Sequence, residues 1–259
     1  VTDQWRFGEA DVERILGPPY LVPERAEGHA EIGVATGLAW TTTGGDLLLI
    51  EALKMRGAGR VIVTGQLGDV MKESVQAAHS YVRARAGLLG MDPLLFDEFD
   101  LHIHFPEGAV PKDGPSAGIT ITMAIASALA EAPIRNDVAM TGEVTLRGKI
   151  IAVGGLKEKI MAAYRAGIRT VVYPSDNTKD LVEVPEAVRS KMQLVPVSVV
   201  DEVFRYAFVG VAERIAEMEA REAARLARRA AKASGKGATA KGASRRAKRR
   251  APRAAKPKR

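Results

Sequence analysis

The sequence contains no cysteine, which excludes disulfides, thiol nucleophiles and Cys-ligated zinc. Its four histidines stand at 29, 79, 102 and 104, so no imidazole follows residue 104. The lack of cysteine fits a cytoplasmic location, and no run of eighteen apolar residues occurs, so no membrane-spanning helix is expected. No signal-peptide pattern opens the chain, which begins at Val1 instead of Met; it reads as a piece of something longer. What is present is a hydrophobic fraction of 46% in 259 residues. That is enough for a substantial core in one large domain or two small ones.

Charge is divided unevenly. Residues 221–259 hold sixteen Lys and Arg against one acid, Glu222, whereas the preceding 220 residues hold 22 basic and 30 acidic side chains. An acidic body thus carries a strongly basic tail. The tail beyond Ser234 is almost wholly Ala, Gly, Lys and Arg. It cannot bury enough apolar surface to offset backbone entropy, so disorder is expected there, after a helix continuing from Val211.

The periodicities predict alternating strands and helices. A short helix over 9–16 is stopped by Gly17–Pro18–Pro19 and is marginal alone. Strands are expected over 32–41, 46–55 and 60–64, separated by Gly44–Gly45 and Gly57–Ala58–Gly59. An amphipathic helix follows over 67–89, then a strand over 101–105. Every residue from 116 to 129 is small, apolar or hydroxylic, which suits a helix buried on most sides. Further strands are expected over 138–140, 144–146, 170–173 and 194–200, with helices over 156–166, 179–184 and from 201. The fold class implied is α/β, with a mixed sheet because the early strands arrive as hairpins.

The most informative stretch is Val110–Pro111–Lys112–Asp113–Gly114–Pro115–Ser116–Ala117–Gly118–Ile119. It sets one serine in a tight turn at the mouth of an apolar helix, where the first N–H groups lack intrahelical partners. Gly114–Pro115–Ser116–Ala117–Gly118 also matches the G-x-S-x-G elbow, but α/β-hydrolases place their histidine after the serine, and none occurs there. His102 or His104 as base, with Asp113 as orienter, remains open at this level. So does a lysine base in Gly154–Gly155–Leu156–Lys157–Glu158–Lys159. A lysine serves only when neutral, which requires a dry pocket. On a helical wheel Lys157 and Lys159 occupy opposite flanks, and Lys159 is bordered by Ala162, Ala163 and Ala166. The wheel leans to Lys159 without deciding. Asp113 near such a site would hold the lysine charged, so loop capping or a resting arrangement is its expected role. His102 and His104 share a strand face, but no third ligand stands at suitable spacing for zinc.

These segments resemble the proteolytic domain of bacterial Lon, the ATP-dependent protease. So do Met140–Thr141–Gly142–Glu143–Val144–Thr145–Leu146–Arg147–Gly148, Gly37–Leu38–Ala39–Trp40–Thr41, Gly44–Gly45–Asp46–Leu47 and Gly65–Gln66–Leu67–Gly68–Asp69–Val70–Met71–Lys72–Glu73–Ser74. The resemblance covers residues 32–208. It implies a serine endopeptidase with a Ser116–Lys159 dyad and no cofactor for peptide hydrolysis. Thr141 would help hold the lysine, while Glu51, His102 and His104 match positions in the site's neighbourhood. It also implies the Lon proteolytic α/β fold in a homo-hexameric ring acting on polypeptides, with ATP and Mg used by an ATPase part. No G-x-x-x-x-G-K-[ST] loop occurs here, so residues 1–24 read as the stub of that preceding ATPase domain, 25–210 as the proteolytic domain and 211–259 as an added tail. Without aromatic interleaving, 221–259 suits non-specific contact with nucleic acid or polyphosphate. The rival from another class is a non-catalytic assembly module whose tail recruits polyanions.

Overall fold

The computed structural model describes residues 8–17, 29–41, 44–87, 89 and 91–210. The basic tail and its expected helix and disorder lie outside the described residues, as does the rest of the 1–24 segment apart from 8–17. Within that segment α1 (Glu9–Leu16) forms as the periodicity predicts.

From residue 31 onward the chain reads β1 (Glu31–Ile32), β2 (Val34–Thr41), β3 (Gly44–Arg56), β4 (Val61–Thr64), α2 (Asp69–Arg85), α3 (Leu95–Glu98) and β5 (Phe99–His104). A 3-10 turn, Pro115–Ala117, opens α4 (Gly118–Ala130). Then come β6 (Pro133–Ile134), β7 (Val138–Met140), β8 (Glu143–Val144), β9 (Ile150–Ile151), α5 (Leu156–Arg165) and β10 (Thr170–Pro174). A 3-10 segment (Ser175–Glu183), α6 (Glu186–Arg189), β11 (Gln193–Val197) and α7 (Val200–Ala207) complete the described part.

Seven strands form one mixed sheet in the order β11-β10-β7-β2-β3-β5-β4. The hairpin β2–β3 and the pair β3–β5 are antiparallel, and the other neighbours run parallel. β4 does not pair with β3. β5 slips between them, because α2 and α3 carry the chain over the sheet and return it parallel to β4. The expected strand over 32–41 breaks at Gly33, whose positive φ of 79° separates β1 from β2. The expected strand over 144–146 is a hairpin arm, β8, paired with β9.

Register assigns the two faces. Ala35, Ile50, Ala52, Leu101 and Ile103 share one face and are buried. α4 lies against it: residues 118–129 are all buried, and Thr120 Oγ1 donates to the Met140 carbonyl at 3.1 Å. Over β2, β7 and β10 the opposite face is covered by α5, whose Leu156, Ile160 and Ala163 pack with Leu38, Ala139 and Val171, while its β3–β5 part, with Glu51 and Leu53, is exposed. Burial of this many apolar side chains, each contributing about 1.5–3 kcal/mol, is what holds the three layers together.

Candidate functional site

The site sits where the 3-10 turn and α5 approach the same end of the sheet. A cleft of about 420 Å³ is lined by Ser116, Lys159 and Asp113 together with Trp40, Leu48 and Val153. Gly114, with φ of 131°, bends the chain into the turn, and Pro115 pre-sets its first residue. α5 comes close to β3 because position 45 has no side chain: a Cβ there would stand 2.0 Å from the Glu158 carbonyl oxygen. That contact sets the depth at which the next residue, Lys159, enters the fold.

Lys159 is 2% exposed, whereas Lys157 lies on the wet side of α5. The ambiguity of the helical wheel is thereby resolved in favour of Lys159 as the buried amine. Desolvation by burial pulls its pKa from the ordinary 10.5 down to about 8. Among the described residues no carboxylate bonds to it. Its amine donates to Thr141 Oγ1 at 3.1 Å. That hydroxyl in turn donates to the Ser116 carbonyl at 3.4 Å, and the Gly142 N–H reaches the same carbonyl at 2.8 Å. Lysine, threonine and the serine backbone are therefore linked end to end.

Asp113 does something else. Its Oδ1 accepts the Met71 N–H at 3.0 Å and the Gly114 N–H at 2.9 Å. Met71 stands in the first turn of α2, where Gly68 offers no side-chain cap. Asp113 thus caps α2 from forty residues away while tying down its own loop. These two bonds are those of a loop and helix cap.

Glu51, His102 and His104 form a separate group on the outer face of the sheet. Glu51 pairs in register with His104, and Thr64 Oγ1 lies 3.0 Å from His102 Nε2 and 2.7 Å from His104 Nδ1. None of the three lines the cleft. The arrangement with a histidine base oriented by Asp113 is not assembled, since Asp113 is bonded to backbone amides and both histidines to Thr64. Among the described residues no three His, Asp or Glu side chains are grouped to hold a metal ion. No described helix is long and apolar enough to cross a membrane.

Two participants were not legible in the sequence: the Ser116 carbonyl as the anchor of Thr141, and Asn177, whose amide holds the Val153 backbone behind the cleft. A lone asparagine after a strand carries no local signal of such a contact.

Residues 6–210 match the family described as the Lon protease (S16) C-terminal proteolytic domain. The chain is 59% identical over 199 residues to the "Lon protease" of Chloroflexus aggregans, covering 77% of this chain and 24% of that one. It is 52% identical over 214 residues to "Lon protease 1" of Myxococcus xanthus, covering 80% and 26%. With the "Lon protease" of Azospirillum brasilense it shares 50% over 212 residues, covering 82% and 24%. The chain spans about a quarter of the length of these curated relatives. With the match extending over most of its length and over the whole of the cleft, the chain belongs to the Lon protease (S16) C-terminal proteolytic domain family.

Proposed function

We propose that this chain is a serine endopeptidase, the peptide-cleaving part of an ATP-dependent protease, with Ser116 as nucleophile and Lys159 as its base. One observation carries the reading: a lysine 2% exposed, with its pKa drawn down to about 8, lines the same cleft as a serine in a helix-opening turn. A neutral amine donates an N–H and accepts at its lone pair. One hydrogen is given to Thr141, and in the proposed reaction the lone pair accepts the proton of the Ser116 hydroxyl. The amine takes the Oγ proton as Oγ bonds to the peptide carbonyl carbon. The Ser116 N–H, in the first turn of the 3-10 segment, is the donor at hand for the oxyanion. The ammonium then gives its proton to the departing amine nitrogen as the C–N bond breaks. Water completes the cycle: Lys159 takes its proton, the hydroxide oxygen bonds to the acyl carbon, and Ser116 leaves and regains a proton. Ser116→Ala and Lys159→Ala should each abolish turnover of a fluorogenic peptide; full turnover surviving either change defeats the proposal.

No phosphate-binding loop is present in the sequence, so no step is assigned to ATP here. The substrates proposed are unfolded or damaged polypeptides, met inside a cytoplasmic homo-hexamer whose ATPase part unfolds them. The support is the family's match and the relatives' greater length. The tail, with sixteen basic residues and one acid over 221–259, is proposed to contact nucleic acid or polyphosphate without sequence preference. Removing it should lower salt-sensitive DNA binding and leave peptide turnover intact; unchanged DNA affinity retires that part.

A further inference from the structure

One buried polar side chain supports the cleft from behind. Asn177, in the 3-10 segment that follows β10, is 3% exposed. Its Oδ1 accepts the Val153 N–H at 2.9 Å, and its Nδ2 donates to the Val153 carbonyl at 2.9 Å. A single amide thereby satisfies both polar groups of one residue's backbone, as a neighbouring strand does in a ladder. Nδ2 also donates to Asp180 Oδ2 at 2.6 Å. A carboxylate accepts only, so that contact fixes which end of the amide is nitrogen.

The backbone it holds has no ladder of its own. β9 ends at Ile151 and α5 begins at Leu156, and between them Ala152, Val153 and Gly154 all line the cleft with Ser116 and Lys159. Lys159 has supports of its own besides this clamp. Its helix is anchored by Leu156 and Ile160 in the core, and its amine bonds to Thr141. The clamp and the proton-transfer pair are separate supports of one site.

We propose that Asn177 is a positioning residue for polypeptide cleavage: by occupying both polar groups of Val153 it keeps residues 152–154 as a fixed wall against which an extended peptide is laid beside Ser116. The proposal rests on Ser116 being the nucleophile. Freed of Asn177, the Val153 amide and carbonyl turn to water and the wall becomes one of several conformers. A bound peptide then has to order it again, which weakens capture of a peptide more than it alters attack on a small electrophile.

The test compares two reagents on the same chain: a small fluorophosphonate, and the same electrophile carried on a short peptide. Labelling of Ser116 is followed in the unsubstituted protein, Asn177→Ala and the near-isosteric Asn177→Asp, which presents a carboxylate oxygen to the Val153 carbonyl and to Asp180. The expected result is a fall of about tenfold in the ratio of peptidyl to bare rate constants, the scale of one well-placed hydrogen-bonded contact. A ratio unchanged in the substituted protein overturns the proposal, because a residue that only held the fold together would slow both reagents alike. Where Asn177→Ala does not fold, the ratio for Asn177→Asp decides by the same criterion. If the unsubstituted protein is labelled at Ser116 by neither reagent, it is the nucleophile assignment that has failed.

Discussion

The Lys159 amine and the Thr141 hydroxyl lie 3.1 Å apart, and the hydroxyl hands the contact on to the carbonyl of Ser116. This places a hydrogen-bonding residue from the turn after β7 between the proposed base and the backbone of the proposed nucleophile. Thr141 is itself fixed, since its N–H donates to the Val172 carbonyl at 3.0 Å and its side chain is fully buried. A rigid acceptor for one amine hydrogen leaves the lone pair only the two remaining positions on nitrogen.

Thr141→Val keeps the shape and removes the acceptor. Turnover of a fluorogenic peptide should fall by about 10- to 100-fold, the scale of a misdirected general base. Thr141→Ser should recover most of it. Equal turnover by Val and Thr would show that the hydroxyl does not orient the amine.

The burial that lowers the Lys159 pKa also weakens the fold. The ammonium form is disfavoured in the folded state, where the pKa is about 8, relative to the unfolded chain near the ordinary 10.5. Below about pH 8 both states are protonated and the full penalty, of order 3 kcal/mol, is present. Between those two values the unfolded chain binds more protons, so stability rises with pH until the penalty is gone. Lys159→Met should therefore be more stable than the unsubstituted protein at pH 7 by about 1–3 kcal/mol, a margin that shrinks by pH 10. Urea denaturation at the two pH values measures it. Lower stability of Lys159→Met at pH 7 contradicts the account.

Asp113→Ala removes the remote cap of α2 and should cost about 1 kcal/mol, seen as a lowered Tm. Because Asp113 binds amides and not Lys159, the pH midpoint of peptide turnover should stay where it is. A midpoint displaced by this substitution would mean that the carboxylate does act on the amine.

Local motifs and long-range geometry differ in how far the sequence discloses them. The turn at Ser116 was legible because Gly114, Pro115 and Gly118 dictate backbone shape within a few residues, and α4 because twelve consecutive positions are apolar or hydroxylic. The choice between Lys157 and Lys159 was not, since both flank the apolar stripe of α5. What decides it is the approach of α5 to Gly45, more than a hundred residues earlier. Insertion of β5 between β3 and β4 was hidden for the same reason: strand order depends on where α2 returns the chain. Asp113 as a cap for α2, and Asn177 as a clamp on Val153, join segments whose partners bear no mark in their own neighbourhoods. The face shared by His102 and His104 followed from strand alternation, but their shared partner Thr64 came only from the parallel pairing of β4 with β5.

The most direct measurement is the rate at which a small fluorophosphonate labels Ser116 as pH is raised from 6 to 10, in the unsubstituted protein and in Lys159→Met. The rate should climb through a midpoint near 8, where the Lys159 amine loses its proton, and Lys159→Met should show neither the climb nor appreciable labelling. A serine that reacts equally well without the lysine, or a rate that is flat across that range, contradicts the assignment of Lys159 as the base.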